Sequence, residues 1–210
     1  LVPIQFPSEV QLADAGTVQQ RPQADFSRAT VKSPDGNVAA SHDETSWTAY
    51  AGSNLGNHYS PAAQITAANV GQLEQVWEYH HGDVKLPGTK VAYLNESTPL
   101  KIGELLYTCT PRQIIVAVEA TTGKERWRFD SRVDEAYLKG GGANCRGVSY
   151  YQVPDAQPGA VCARRIIWGT TDVRLGAVDA DTGTPCPGFG QNGFVDLKDG
   201  IGQFLSLIHI

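Results

Sequence analysis

The sequence predicts an all-β chain built from propeller-type blades, and two observations carry that reading. First, residues 114–130, IIVAVEATTGKERWRFD, recur as residues 174–190, RLGAVDADTGTPCPGFG. Ala117 aligns with Ala177, Thr122 with Thr182 and Gly123 with Gly183, each sixty positions on, and Leu105-Leu106-Tyr107 lies the same distance before Arg165-Ile166-Ile167. A fixed long period is the mark of a repeat architecture. Second, short strand-like runs follow one another at about ten-residue spacing with Gly and Pro turns between them, as in all-β domains. Four antiparallel strands in each repeat of about sixty residues suggest propeller blades.

The elements follow in order. Residues 1–45 are rich in Gln, Ala, Ser, Pro and Asp with weak periodicity, and read as an extended or partly disordered lead-in. The first ten, LVPIQFPSEV, lack a basic n-region and a long apolar h-region, so they do not read as a signal peptide. The chain has no Met, even at position 1, and its N-terminus reads as a cut. Order is expected to begin at Trp47. A Gly/Asn loop covers 52–57, and Ile65 to Leu73 suggests one short helical turn. Gln75-Val76-Trp77-Glu78-Tyr79 alternates and predicts a strand. Residues 80–95 predict a loop. Four strands are then expected over 98–102, 104–108, 114–119 and 125–129, with turns at Gly103, Pro111 and Thr122-Gly123. A glycine-rich loop, Gly140-Gly141-Gly142, runs on to Cys145-Arg146-Gly147. A second set of strands is expected over 148–153, 165–169 and 175–179, with the Thr182-Gly183 turn.

Bulk properties narrow the function classes. The net charge is −5 with Lys and Arg scattered rather than striped, which argues against a nucleic-acid partner. No run of eighteen apolar residues is present, so the sequence predicts no transmembrane helix of its own. Cys109, Cys145, Cys162 and Cys186 form no C-x-x-C pair, which argues against a zinc site. They read as small buried residues, or as one or two disulfides in an oxidising compartment, with the pairing open. His80 and His81 lie on a polar loop without a third ligand and read as solvated, and Asp83 of the adjoining turn reads as structural. Trp77 and Trp127 stand at strand ends and are expected to pack between blades.

Two blades cannot close a ring, and about three or more repeats are needed for stability. The chain is therefore expected to be the opening part of a larger ring. Residues 205–210, Leu-Ser-Leu-Ile-His-Ile, resemble the translated end of a sequencing adapter and are set apart as an artefact, so His209 is assigned no chemistry.

An ordered series of motifs now adds up. It begins with Trp47-x-Ala-Tyr-x-Gly, Tyr59-Ser-Pro-x-x-Gln-Ile, Asn69-Val-x-x-Leu and Val76-Trp-x-Tyr-x-x-Gly-Asp83. Glu96-Ser-Thr-Pro-Leu-Lys-Ile-Gly103, Leu106-Tyr-Thr-Cys-Thr110, Ala120-Thr-Thr-Gly-Lys-Glu-Arg-Trp127 and Cys145-Arg-Gly-Val-Ser-Tyr150 continue it. Over residues 45–203 this series resembles the membrane-bound PQQ-dependent (quinoprotein) glucose/quinate/shikimate dehydrogenases. The resemblance implies an eight-bladed quinoprotein β-propeller, of which about the first two blades are present. Residues 46–204 would hold those blades, and residues 1–45 would be the lead-in after a missing membrane anchor. It further implies a site on the periplasmic face of the bacterial inner membrane, PQQ with Ca²⁺ or Mg²⁺, oxidation of an aldose sugar or cyclic polyol, and electron transfer to ubiquinone.

Three residues are candidates for cofactor binding. PQQ carries carboxylates, and the guanidinium of Arg146 suits one of them; the resemblance gives the Arg of Cys-Arg-Gly that role. The glycines at 140–142 would let backbone approach the cofactor closely. Glu96 is expected at the same pocket, accepting hydrogen bonds from the cofactor or balancing Arg146. Cys145 is the third, either as a thiol beside the cofactor or as a structural or disulfide-bonded residue. Related alcohol dehydrogenases set a disulfide of adjacent cysteines against PQQ, and Cys145 has no adjacent Cys. Gly142 stands where glucose-type members tend to carry His, which leaves quinate, shikimate or another polyol open as substrate. No catalytic residue and no metal ligand is assigned within the chain, because the family's catalytic Asp, metal ligands and Lys are expected in later blades. Two other readings compete: a non-catalytic propeller scaffold, which would lack the Cys145-Arg146-Gly147 and Glu96-Ser-Thr-Pro motifs, and a periplasmic PQQ alcohol dehydrogenase, which would carry the adjacent cysteines.

Overall fold

The computed structural model describes residues 46–199, apart from 53–55, 57, 59, 61, 91 and 142. The expected lead-in over 1–45, the terminal hexapeptide and the glycine at 142 therefore lie outside the described residues. Pro99 has no N–H to give a ladder, and the strand expected over 98–102 divides there. On the two sides of Pro99 lie β1 (Tyr93–Thr98), which begins inside the stretch 80–95 expected to be a loop and shares only Thr98 with the predicted strand, and β2 (Leu100–Ile102). β3 (Leu105–Cys109), β4 (Ile114–Glu119) and β5 (Glu125–Asp130) follow, close to the predicted ranges. After α1 (Glu135–Gly141) come β6 (Ala143–Gly147), β7 (Ser149–Gln152), β8 (Arg164–Gly169), β9 (Arg174–Asp179) and β10 (Phe194–Asp196).

The period of sixty becomes two four-stranded antiparallel sheets, ordered β2-β3-β4-β5 and β7-β8-β9-β10. β4 is a continuous apolar run and is buried on both faces, as a strand between packed layers must be. β5 alternates, and only Trp127 is buried, which suits an outer strand wet on one side. One hydrophobic core unites the two sheets, with Leu100, Tyr107 and Trp127 from the first meeting Ile166, Trp168 and Val178 from the second.

The repeated Ala-x-Thr-Gly turn is where one blade receives the other. The Trp127 indole donates to the Ala180 carbonyl at 3.0 Å, and its ring lies so close to Gly183 that a Cβ there would fall 2.6 Å from ring atoms. Trp77 does the same one repeat earlier, donating to the Ala120 carbonyl at 3.2 Å and covering Gly123. Both glycines also take positive φ, 69° and 71°, so the turn and the ring together require glycine. The expected packing between blades is thus observed for Trp127, while Trp77 packs on the first blade from a segment outside any strand among the described residues.

Two further predicted elements differ. Residues 75–79 pair with no strand among the described residues. Their alternation is nonetheless real: Trp77 and Tyr79 lie against the first blade, while Val76 is 83% exposed. The pattern recorded burial on one face, and it carries no information about whether a ladder partner is present. The loop expected from Gly140 to Gly147 is not observed, because α1 runs through Gly141 and β6 covers Ala143–Gly147. Asp134 caps this helix by accepting from the Ala136 amide at 2.8 Å, Glu135 pairs with Lys139 at 2.7 Å, and Leu138 is buried against Val133 and Ala143. These local gains outweigh the low helix propensity of the two terminal glycines. The short turn expected in 65–73 is present as a 3₁₀ turn at Val70–Gln72, where the Asn69 side chain accepts from the Thr66 amide at 2.6 Å.

Candidate cofactor-binding site

The segments that lead into the two sheets, β1 and β6, pair with each other in parallel, joining Leu94 to Asn144 and Asn95 to Cys145. This two-stranded ribbon links the first strands of adjacent blades, because β1 runs on into β2 and β6 into β7. It carries all three residues expected at the cofactor, and its two faces differ in chemistry.

One face is polar and open. The Asn144 amide donates to Glu96 Oε2 at 2.5 Å, and Arg146 Nε lies 3.8 Å from the same oxygen. Arg146 is the most exposed of the group, with 88% of its side chain accessible, against 44% for Glu96. Arg146 and Glu96 therefore stand side by side, although 50 residues apart in sequence. Asn144 completes the cluster and was not singled out in the sequence. Its one available signal was alternation: in a strand, Asn144 and Arg146 must share a face.

The opposite face is buried and covalently fastened. Cys145 is 5% exposed and is joined to Cys109 at the end of β3. Of the two roles considered for Cys145, the disulfide-bonded one is observed, and the free thiol is excluded. The Ser97 hydroxyl, also on this side, accepts from the Cys109 amide at 3.2 Å and from the Thr108 hydroxyl at 2.9 Å. Beneath the ribbon, Gln113 is 2% exposed and bridges three elements. Its amide nitrogen donates to the Asn144 carbonyl at 3.3 Å, its amide oxygen accepts from the Thr171 N–H at 3.0 Å, and its backbone carbonyl accepts from the Ser131 hydroxyl.

The start of the ribbon is held by Asp83, whose side chain is fully buried. The Tyr93 hydroxyl donates to it, as does the Arg112 N–H at 2.9 Å. Burial first, and the Asp83 hydrogen bond second, push the Tyr93 phenol well above its ordinary range, so it stays a donor. Asp83 is thus a structural residue, in line with the expectation. His80 is exposed near Glu78 at 3.3 Å, and His81 Nδ1 accepts from the Asp83 amide at 2.9 Å.

An exposed guanidinium on a ribbon braced from below fits one carboxylate of a polycarboxylate cofactor. No group of three His, Cys, Asp or Glu among the described residues is placed to hold a metal ion. No helix among the described residues is long and apolar enough to cross a membrane.

Four-stranded sheets docked through Trp-on-Gly contacts, with the first strands of adjacent blades joined in a ribbon, define part of a β-propeller. Residues 47–207 match the PQQ protein-family profile, described as the glucose/ethanol/alcohol dehydrogenase β-propeller domain, and the chain belongs to this family. It is 40% identical to the glycerol dehydrogenase large subunit of Gluconobacter oxydans (strain 621H), over 79% of this chain and 22% of that protein. It is 38% identical to the quinoprotein glucose dehydrogenase of Escherichia coli (strain K12), over 72% of this chain and 20% of that protein. Among solved structures it resembles the quinohemoprotein alcohol dehydrogenase ADHIIG from Pseudomonas putida HK5, with a TM-score of 0.55 and 28% identity, over 74% of this chain and 19% of that one. The chain thus spans about a fifth of the length of the proteins it matches.

Proposed function

We propose that the chain supplies the opening blades of a PQQ-dependent dehydrogenase that oxidises an aldose sugar, glucose to gluconolactone, and passes the electrons to ubiquinone at the periplasmic face of the inner membrane. The observation that carries the reading is the ribbon face of Glu96 and Arg146, within a chain of the PQQ propeller family. The similarity to a quinoprotein glucose dehydrogenase supports the sugar. PQQ, with Ca²⁺ or Mg²⁺, supplies the hydride-accepting quinone. The role of this chain is to hold it: Arg146 pairs one carboxylate, Glu96 accepts a hydrogen bond or balances the guanidinium, and the Cys109–Cys145 disulfide keeps the ribbon in place beneath them. Residues 1–45 are read as the segment that leaves a membrane anchor, residues 46–204 as the blades, and 205–210 as an appended sequence.

A second reading exchanges the aldose for a polyol such as glycerol, quinate or shikimate. Gly142 in place of a His and the 40% identity to a glycerol dehydrogenase subunit favour it. The disulfide-forming, non-adjacent Cys145 argues against the alcohol dehydrogenase pattern, and the two ribbon motifs argue against a scaffold role.

Dye reduction by the full-length protein, reconstituted with PQQ and Ca²⁺ or Mg²⁺, separates these readings. Glucose as the best substrate supports the first, and glycerol, quinate or shikimate the second. No PQQ-dependent reduction with any of them overturns both. The 210-residue chain made alone is expected to show no sugar-dependent reduction, because its ring cannot close.

A further inference from the structure

We propose that Asn144 is a positioning residue for the anion site at Arg146: its carboxamide restrains the Glu96 carboxylate, so that Glu96 stays beside the guanidinium without closing on it. The inference deepens the reading of Arg146 as the partner of a cofactor carboxylate and rests on it.

The distances make the case. Glu96 Oε2 is engaged by Asn144 Nδ2 at 2.5 Å, while Arg146 Nε is 3.8 Å away, outside hydrogen-bond range. A carboxylate and a guanidinium this close frequently form a bidentate pair, against the side-chain entropy that an exposed pair must give up. Here something competes, and it is short and fixed. Among the described residues, Arg146 makes no hydrogen bond that would occupy its donors. Its fork therefore remains free for an anion.

Asn144 can act as a restraint because its own backbone is clamped. The Gln113 amide holds its carbonyl, β1 holds it in register with Leu94, and the next residue is cross-linked through Cys109–Cys145. The Gln113 clamp is not a requirement of the turn it occupies. Val173 stands at the same place in the second repeat with the same left-handed backbone, φ 65° against 63° for Gln113, and has no amide to offer. The amide at 113 is an addition to the repeat, and it is spent on Asn144 and Thr171.

The consequence is specific. Without Asn144, Glu96 neutralises Arg146 and competes with the cofactor's carboxylate. Without both Asn144 and the charge on Glu96, the competition disappears. PQQ titrated into full-length apoprotein, read by tryptophan fluorescence quenching, measures affinity without turnover. Asn144→Ala is expected to weaken binding about tenfold, the size of one charge-assisted contact. The double variant Asn144→Ala/Glu96→Gln is expected to recover to within about threefold of the parent, because a neutral amide still accepts a hydrogen bond but cannot pair the guanidinium. A structural role for Asn144 would not be rescued by removing a charge elsewhere. Unchanged affinity in Asn144→Ala, or equal weakness in the single and double variants, overturns the proposal. Arg146→Ala serves as the control on the underlying reading. Loss of binding there with no effect of Asn144→Ala defeats only this inference, whereas no effect of Arg146→Ala defeats the cofactor assignment as well.

Discussion

The two blades agree through their middle strands, β3–β4 and β8–β9, and part company on either side: two residues join β2 to β3 where eleven join β7 to β8, and the outer edges differ. In the first blade the Gln113 amide donates to the Thr110 carbonyl and the Ile114 amide to the Thr110 hydroxyl; in the second, Val173 and Arg174 do the same to Thr170. The Glu119–Gly123 turn is repeated in Asp179–Gly183, with amide-to-carbonyl distances of 2.8 and 2.9 Å. Beyond the glycine, however, the first blade goes directly into β5, and Trp127 crosses to the neighbouring blade. In the second, Pro187 stands at the place of Trp127, and the chain detours until Phe194 finds β9. Proline cannot donate to a ladder, and the chain leaves β9 around this point and pairs with it again as β10 from Phe194. The detour is secured instead by the Cys162–Cys186 disulfide and by the Cys186 amide on the Ala177 carbonyl at 3.0 Å. The lesson is that the strands buried between blades hold to the repeat, while the solvent edge accepts an insertion once something else fastens it.

That contrast can be broken at either fastener. Trp127→Ala removes the buried ring that joins the blades and is expected to cost about 3–5 kcal/mol, a typical figure for a buried Trp. Trp77→Ala, at a half-buried ring on a segment without a strand partner, should cost clearly less. Urea unfolding measures both, and equal losses would mean that the two docking contacts are equivalent. Next in size is the second blade's own fastener. Cys162→Ala/Cys186→Ala opens a loop of 24 residues and is expected to cost about 3 kcal/mol. Proteolysis should then cut first within 184–193. Cleavage elsewhere, with this segment intact, would show that the disulfide does not hold the detour.

The smallest expected effect sharpens the comparison at the matching turns, where Asp172 in the second blade replaces Arg112 in the first. Burial alone would raise the Asp172 carboxyl, but hydrogen bonds from Arg174 and Thr170 outweigh it and hold the group below its ordinary value of 3.8. A carboxyl depressed in the folded state stabilises at pH above that ordinary value, and the gain disappears as pH falls through the folded value. Asp172→Asn should therefore flatten the acid limb of the stability profile below about pH 4, where an Asp of ordinary pKa titrates. An unchanged limb would assign the acid sensitivity to other carboxyls.

Much of this was legible in the residues. The period of sixty, the Ala-x-Thr-Gly turns and the alternating outer strand are local or periodic features, and local chemistry writes them directly into the chain. The motif series likewise marked Glu96 and Arg146. The helix at 135–141 was obscured because glycines suggest a loop, although the Asp134 cap and the buried Leu138 were there to be read. The strand expected at 75–79 failed for the opposite reason: its alternation reports burial, whereas a ladder needs a partner that no local pattern can specify.

What the sequence alone determined, then, was the repeat, its central strands and its turns. Only the tertiary structure decided that β1 and β6 pair in parallel, that Cys145 joins Cys109 and Cys162 joins Cys186, and that Glu96 meets both Asn144 and Arg146. The physical reason is distance along the chain. Turns and alternation arise between residues a few positions apart, but cross-strand register, disulfide partners and the meeting of residue 96 with residue 146 arise only when blades stack and bury their shared core.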